Sequence, residues 1–249
     1  MTNTSETGHA KNVTNLESLI TSIIALETSY NPSRDSIKLP ALQALLTAST
    51  ESLNAVNIAQ AAYSNAVAAR KVAFEPFSKL ITRVMNSLKA SGASTQVVQS
   101  ARTIVRKLQG RRASAKITEE EKKALEAEGK EVNQISASQM SFDNRIENFD
   151  RLIMLLSSIP LYNPNEAELK VEALKALHNQ LKEKNTEVIL PIVQLSNSRM
   201  NRNKILYNEN TGLVDVALDS KTYIKSIFGA TSPQYKQISK LRFIRPKRR

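Results

Sequence analysis

The residue types that carry most enzyme chemistry are scarce in this chain. There is no cysteine, which removes disulfides, thiolate zinc sites and cysteine nucleophiles. Two histidines, His9 and His178, are too few for a histidine-rich metal centre and leave little scope for imidazole acid–base work. No GxxxxGK[ST], GxGxxG, GxSxG or HExxH occurs, so phosphate loops, dinucleotide turns, hydrolase elbows and zincin helices have no support. The acidic cluster Glu119-Glu120-Glu121 follows Thr118 in a capping-box pattern. Carboxylates there complement the positive end of a helix dipole, and that accounts for them better than a metal does. His178 falls between Leu177 and Leu181 and reads as a structural residue. These observations predict a non-enzymatic protein with no catalytic residue, no metal and no cofactor.

The cations are the informative residues. The chain has 249 residues, 35 Lys plus Arg, 23 Asp plus Glu and a net charge of +12. Residues 99–112 hold Arg102, Arg106, Lys107, Arg111 and Arg112 with no acid. Residues 236–249 hold Lys236, Lys240, Arg242, Arg245, Lys247, Arg248 and Arg249, again with no acid. These twelve cations equal the net charge, and the rest of the chain is balanced. Such stretches either complement helix C-termini and aid solubility or neutralise the phosphates of a polyanion. Phe243 in RFIRPKRR stands where it could stack on a base or anchor the tail, and Pro246 keeps the last residues extended. No zinc-finger spacing or helix-turn-helix accompanies them, so a nucleic acid would be read by backbone and shape.

Arg70 and Arg202 pose a different question, because both fall on an otherwise apolar stripe. The preferred expectation is that they snorkel to water; the alternative is an internal ion pair with Glu75 or Glu209.

What positions these residues is a repeated helical frame. Tyr30 to Leu45 (YNPSRDSIKLPALQAL) and Tyr162 to Leu177 (YNPNEAELKVEALKAL) agree at eight of sixteen positions, at a constant offset of 132. NLESLI at 15–20 matches NFDRLI at 148–153, and Gly92-Ala93-Ser94-Thr95 matches Gly229-Ala230-Thr231-Ser232. Ser64-Asn65 and Arg70 likewise match Ser196-Asn197 and Arg202. The pattern predicts an internal duplication. A 3-4 apolar spacing runs from Leu42 through Leu53, Val56, Tyr63, Val67, Phe74, Phe77, Ile81 and Val84 to Leu88, over six heptads, as in a left-handed bundle seam. An unbroken helix from Leu39 to Ala90 would be roughly 75 Å long. Pro76 predicts a break there, and Asn208–Gly212 has loop composition at the corresponding place. Pro191 predicts a second kink. Thr95 and Ser232 are the expected N-caps of a short helix in each repeat, with Pro233 at the first helical position of the second.

The predicted fold is all-α, an elongated helical bundle built from two tandem homologous helical units. The expected division is a polar tail at 1–11, a first unit at 12–112, a charged helical connector at 113–145, a second unit at 146–245 and a basic tail at 246–249. The first fifteen residues lack an apolar core behind a basic start, so they do not read as a signal peptide. The most apolar run, Leu152 to Leu161, is far shorter than the roughly 20 residues of a membrane span. A cytoplasmic location is expected.

The segments SQMSFDNRIENF (Ser138 to Phe149), YNPNEAELKVEALKAL and FGATSPQYKQISKLRF (Phe228 to Phe243) resemble an uncharacterised family of bacterial helical proteins with an internal duplication. They cover about a fifth of the chain. The resemblance implies a helical fold and supplies no activity and no functional residue. The expected function is therefore non-enzymatic binding of an anionic macromolecule, a nucleic acid or a ribonucleoprotein, through the two basic segments. The alternative is a protein–protein scaffold whose basic ends only solubilise.

Overall fold

A computed structural model describes residues 7–111 and 140–246. Nine α-helices form the fold among these residues, and no strand does: α1 (Thr7–Ile24), α2 (Leu39–Phe74), α3 (Phe77–Ala90), α4 (Thr95–Leu108), α5 (Phe142–Ser157), α6 (Val171–Thr186), α7 (Ile189–Tyr207), α8 (Leu213–Phe228) and α9 (Pro233–Ser239). The all-α, helical-bundle class expected from the apolar period is what the chain adopts. The connector helix expected at Thr118, and Glu119–Glu121 with it, lie outside the described residues.

Helix ends follow local chemistry. α2 stops at Phe74, and Pro76 precedes Phe77, the first residue of α3, since proline cannot donate to the preceding turn. Ser94, one residue before the expected Thr95, caps α4 by accepting from the Val97 amide. Ser232 caps α9 by accepting from Tyr235, with Pro233 in the first turn. Near Pro191 the break falls just ahead of the proline. α6 ends at Thr186 and α7 starts at Ile189, which puts Pro191 in a first turn where its missing amide costs nothing. The seven-residue period of buried positions, Leu174, Leu181, Val188 and Leu195, runs on through that break. Val188, Leu195, Arg202 and Leu206 stay buried, whereas Ile192 turns outward.

The chain divides into two compact units, one of residues 1–63 with 191–249 and the other of residues 64–190. The boundaries fall within α2 and within α7. In the first unit, α1 packs against α8 and α9, and the turn Asp35–Ile37 packs against α8. Leu16, Leu19, Ile23, Leu42, Leu213 and Ile224 form its core. In the second unit, α5 packs against α4 and α6, while α3 meets α4 and the turn Ala167–Leu169. Phe77, Ile81, Leu88, Phe149, Leu152 and Leu174 form that core, with Phe77 and Phe149 edge to face at 4.8 Å. Each unit thus draws on segments from both sides of the connector.

A strap of nine residues precedes α2 and another precedes α6, and both are closed in the same way. The Tyr30 hydroxyl donates to the Ile37 carbonyl at 2.7 Å, and the Tyr162 hydroxyl donates to the Leu169 carbonyl at 2.8 Å. Both rings are buried.

Candidate functional site

The two basic segments belong to different compact units. In the second unit, α4 turns Ala101, Val105 and Leu108 inward. Arg102 and Arg106 lie one turn apart, with Arg102 exposed and Arg106 and Lys107 half-buried. Gly110 at φ 65° ends the helix, with the Arg111 amide reaching back to the Arg106 carbonyl at 2.9 Å in the bonding pattern of a Schellman cap. Arg102, Arg106, Lys107 and Arg111 form no ion pair among the described residues. Arg112 lies outside them, as do Lys247, Arg248 and Arg249.

In the first unit the basic segment continues past α9 as an irregular stretch fastened by its backbone. Asn12 holds Ile244 from both sides, donating to its carbonyl at 2.8 Å and accepting from its amide at 3.0 Å. The Asn15 amide donates to the Arg242 carbonyl at 2.6 Å. Lys221 donates to the carbonyls of Leu241 at 2.7 Å and Ser239 at 3.2 Å, and burial pulls its ammonium below the ordinary lysine range. Phe243 is half-buried and packs against the core of this unit with Leu241.

The cations of this stretch divide in two. Arg245 donates to the Tyr207 carbonyl at 3.0 Å and pairs with Asp215 at 2.5 Å. That hydrogen bond holds the Asp215 carboxyl below the usual carboxylate range, against its partial burial. Lys236, Lys240 and Arg242 are exposed and form no ion pair among the described residues. The residues that clamp the segment were not singled out from the sequence. Asn12 and Asn15 lie among Leu16, Leu19 and Ile23 on the buried side of α1, and an amide in an apolar stripe is the signal that marks them.

The other residues of interest have structural partners. His178 faces the Phe149 ring at 6.2 Å. His9 is buried, with Nδ1 2.6 Å from the Tyr207 hydroxyl. Arg70 is half-buried; its guanidinium lies 4.0 Å from the Phe142 ring centroid and donates to Asn185 at 3.0 Å. Arg202 does not reach water as expected. It is 3% exposed and donates to the side-chain Oδ1 of Asn203 at 2.9 Å and 3.2 Å.

An open cleft of about 550 Å³ borders the second strap, lined by Arg83, Asn86, Ser87, Asn163 and Glu166 among others. Arg83 is paired there with Glu168 at 2.6 Å. Burial, aided by the nearby Glu166 charge, pushes the Tyr162 phenol up to about 12, so it stays protonated at neutral pH and serves as a donor. Among the described residues no group of three metal-ligating side chains converges, and no helix is long and apolar enough to cross a membrane.

Fold and surface together define an all-α, helical-bundle protein with a basic segment in each compact unit. No family model matches the chain, and neither a curated protein nor a solved structure shows significant similarity to it.

Proposed function

We propose that this is a non-enzymatic, cytoplasmic binding protein for an anionic macromolecule, a nucleic acid or ribonucleoprotein, that it contacts through backbone and shape. Its binding residues are Arg102, Arg106, Lys107 and Arg111 on one surface and Lys236, Lys240 and Arg242 on the other, with Arg112, Lys247, Arg248 and Arg249 extending them. Arg245 belongs to the scaffold of the second surface. The observation that carries this reading is that seven cations of the two acid-free segments form no ion pair among the described residues, while the one that does, Arg245, pins the segment presenting three of them. Unpaired cations keep their charge available for phosphates.

The chain is also read as an internal duplication, with copies at 12–112 and 146–245. Supporting this are the matching strap closures of Tyr30 and Tyr162, a 3₁₀ turn inside each strap, and left-handed Gly92 and Gly229 at φ 77° and 83°. Each of those glycines stands before a serine-capped helix. The two basic segments then stand at corresponding ends of the two copies.

The test is anisotropy with a labelled duplex DNA and a labelled folded RNA over a salt series. Log affinity should fall linearly with log salt, with a slope of about 0.9 per phosphate neutralised. Replacing Lys236, Lys240 and Arg242 with Gln should flatten that slope by about 2 to 3. A slope untouched by the substitutions, or no binding to either probe at low salt, overturns the reading.

One observation favours the scaffold reading as a second choice. Ile192, Val193 and Met200 of α7 are 46%, 48% and 60% exposed, an apolar surface of the kind that marks contacts between proteins. In that case sedimentation should detect self-association that survives the loss of the cations and disappears when these three become Ser or Gln.

A further inference from the structure

In each compact unit a strap from one side of the connector lies against a helix from the other side. The first strap packs on α8 and the second on α3. Their closures are alike. Both present a tyrosine, both close it on a carbonyl seven residues ahead, and both bury an aliphatic side chain at that position, Ile37 or Leu169. The closures alone therefore do not tell α3 from α8, although the ring contacts differ, with Tyr30 edge to face on Tyr223 of α8 at 5.3 Å and Phe77 of α3 on Phe149 at 4.8 Å.

Charge does. Arg83 and Asp219 occupy the same place, the seventh residue of α3 and of α8. Arg34 of the first strap donates to Asp219 at 2.6 Å and to the Asn210 carbonyl at 3.1 Å. Glu168 of the second strap accepts from Arg83 at 2.6 Å, with Glu166 two residues before it. The polarity of the pair is reversed between the two units. Were each strap to dock on the helix of its own side, Arg34 would meet Arg83, while Glu166 and Glu168 would meet Asp219.

We infer that the two straps are docking surfaces of opposite charge, each fitted to the helix from the other half of the same chain, and that this reversal selects the crossed pairing over one in which each half closes on itself. All four side chains are between 44% and 56% exposed, so each pair adds little to total stability. Their effect is on the choice between two packings that share the same strap closures, because one offers two attractions and the other two repulsions. The inference stands on the packing alone, and its failure leaves the salt slope of polyanion binding untouched.

The test uses the full chain with a protease site placed between residues 112 and 139 and cut after folding. The cut protein should run at its intact mass on size exclusion, because each compact unit holds segments of both fragments. The double variant R83E/D219R turns both crossed contacts repulsive and both uncrossed ones attractive, so at low salt its cut fragments should come apart at a lower urea concentration than the parent's. Adding R34E and E168R restores two crossed attractions of inverted polarity and should return the urea midpoint to the parent's, also where the double variant alone does not fold. At about 1 M salt, where the screening length is about 3 Å, the double variant should behave as the parent does. A double variant whose fragments come apart at the parent's urea midpoint at low salt overturns the inference, and so does a quadruple variant that fails to recover that midpoint.

Discussion

The hydroxyls of Tyr30 and Tyr162 each serve a carbonyl that the strap would otherwise bury without a donor. Removing one partner of a buried hydrogen bond leaves the desolvation cost of the other, about 1 to 3 kcal/mol. Tyr30→Phe should therefore lower the stability measured by urea denaturation by about that amount, with the helical content of the native state retained. Tyr162 adds a pH signature. Its phenol titrates at about 12 in the fold and near 10 in an unfolded chain. Deprotonation thus favours the unfolded chain first, and stability present below pH 10 is lost as the pH rises towards 12. Denaturant midpoints followed across that window should fall more steeply in the parent than in Tyr162→Phe. Arg202 shows where reading residues one at a time fails. Its position on an apolar stripe was plain, but the Asn203 side-chain oxygen that receives its guanidinium is a polar partner that apolar spacing does not report.

At the level of elements, the segment after α9 is held mainly by side chains that reach its backbone. Asn12→Ala and Asn15→Ala should each cost about 1 to 3 kcal/mol, and together they should speed tryptic cleavage after Lys240 and Arg242, which mass spectrometry can follow. Gly229 sits at φ 83° and ψ 160°, a region open essentially to glycine alone. Gly229→Ala should lower stability by about 1 to 3 kcal/mol, visible as a reduced thermal midpoint. Most helices were legible in the sequence, because seam positions recur every three or four residues and breakers such as Pro76 and Asn208–Gly212 act locally. The cap of α4 was misplaced by one residue, since Ser94 and Thr95 are both good caps and only backbone geometry chooses between them. The clamp on the basic segment was harder to see. Asn12 and Ile244 are 232 residues apart, and no local pattern links them.

For the whole molecule, the cations can be sorted by what their loss does. Replacing Lys236, Lys240 and Arg242 with Gln removes no ion pair seen among the described residues, so stability should stay within about 0.5 kcal/mol while polyanion affinity drops. Arg245→Gln should do the reverse, losing the Asp215 pair and the Tyr207 carbonyl contact and loosening the segment. Calorimetry beside anisotropy on the same two proteins separates the two roles. Composition revealed where the charge is concentrated. It did not reveal that one cation in the stretch is engaged, because Asp215 lies thirty residues upstream.

The compact unit of residues 64–190 is one uninterrupted stretch, whereas the other is assembled from residues 1–63 and 191–249. A ribosome making this chain therefore delivers all of the inner unit while α1 and the first part of α2 still lack α8 and α9. Nascent chains stalled near residue 230, with α8 still inside the exit tunnel, should protect Phe149 and Leu152 from solvent and leave Leu16 and Leu19 bare. A chaperone would find its binding site on α1, and would lose it only once α8 and α9 have been made.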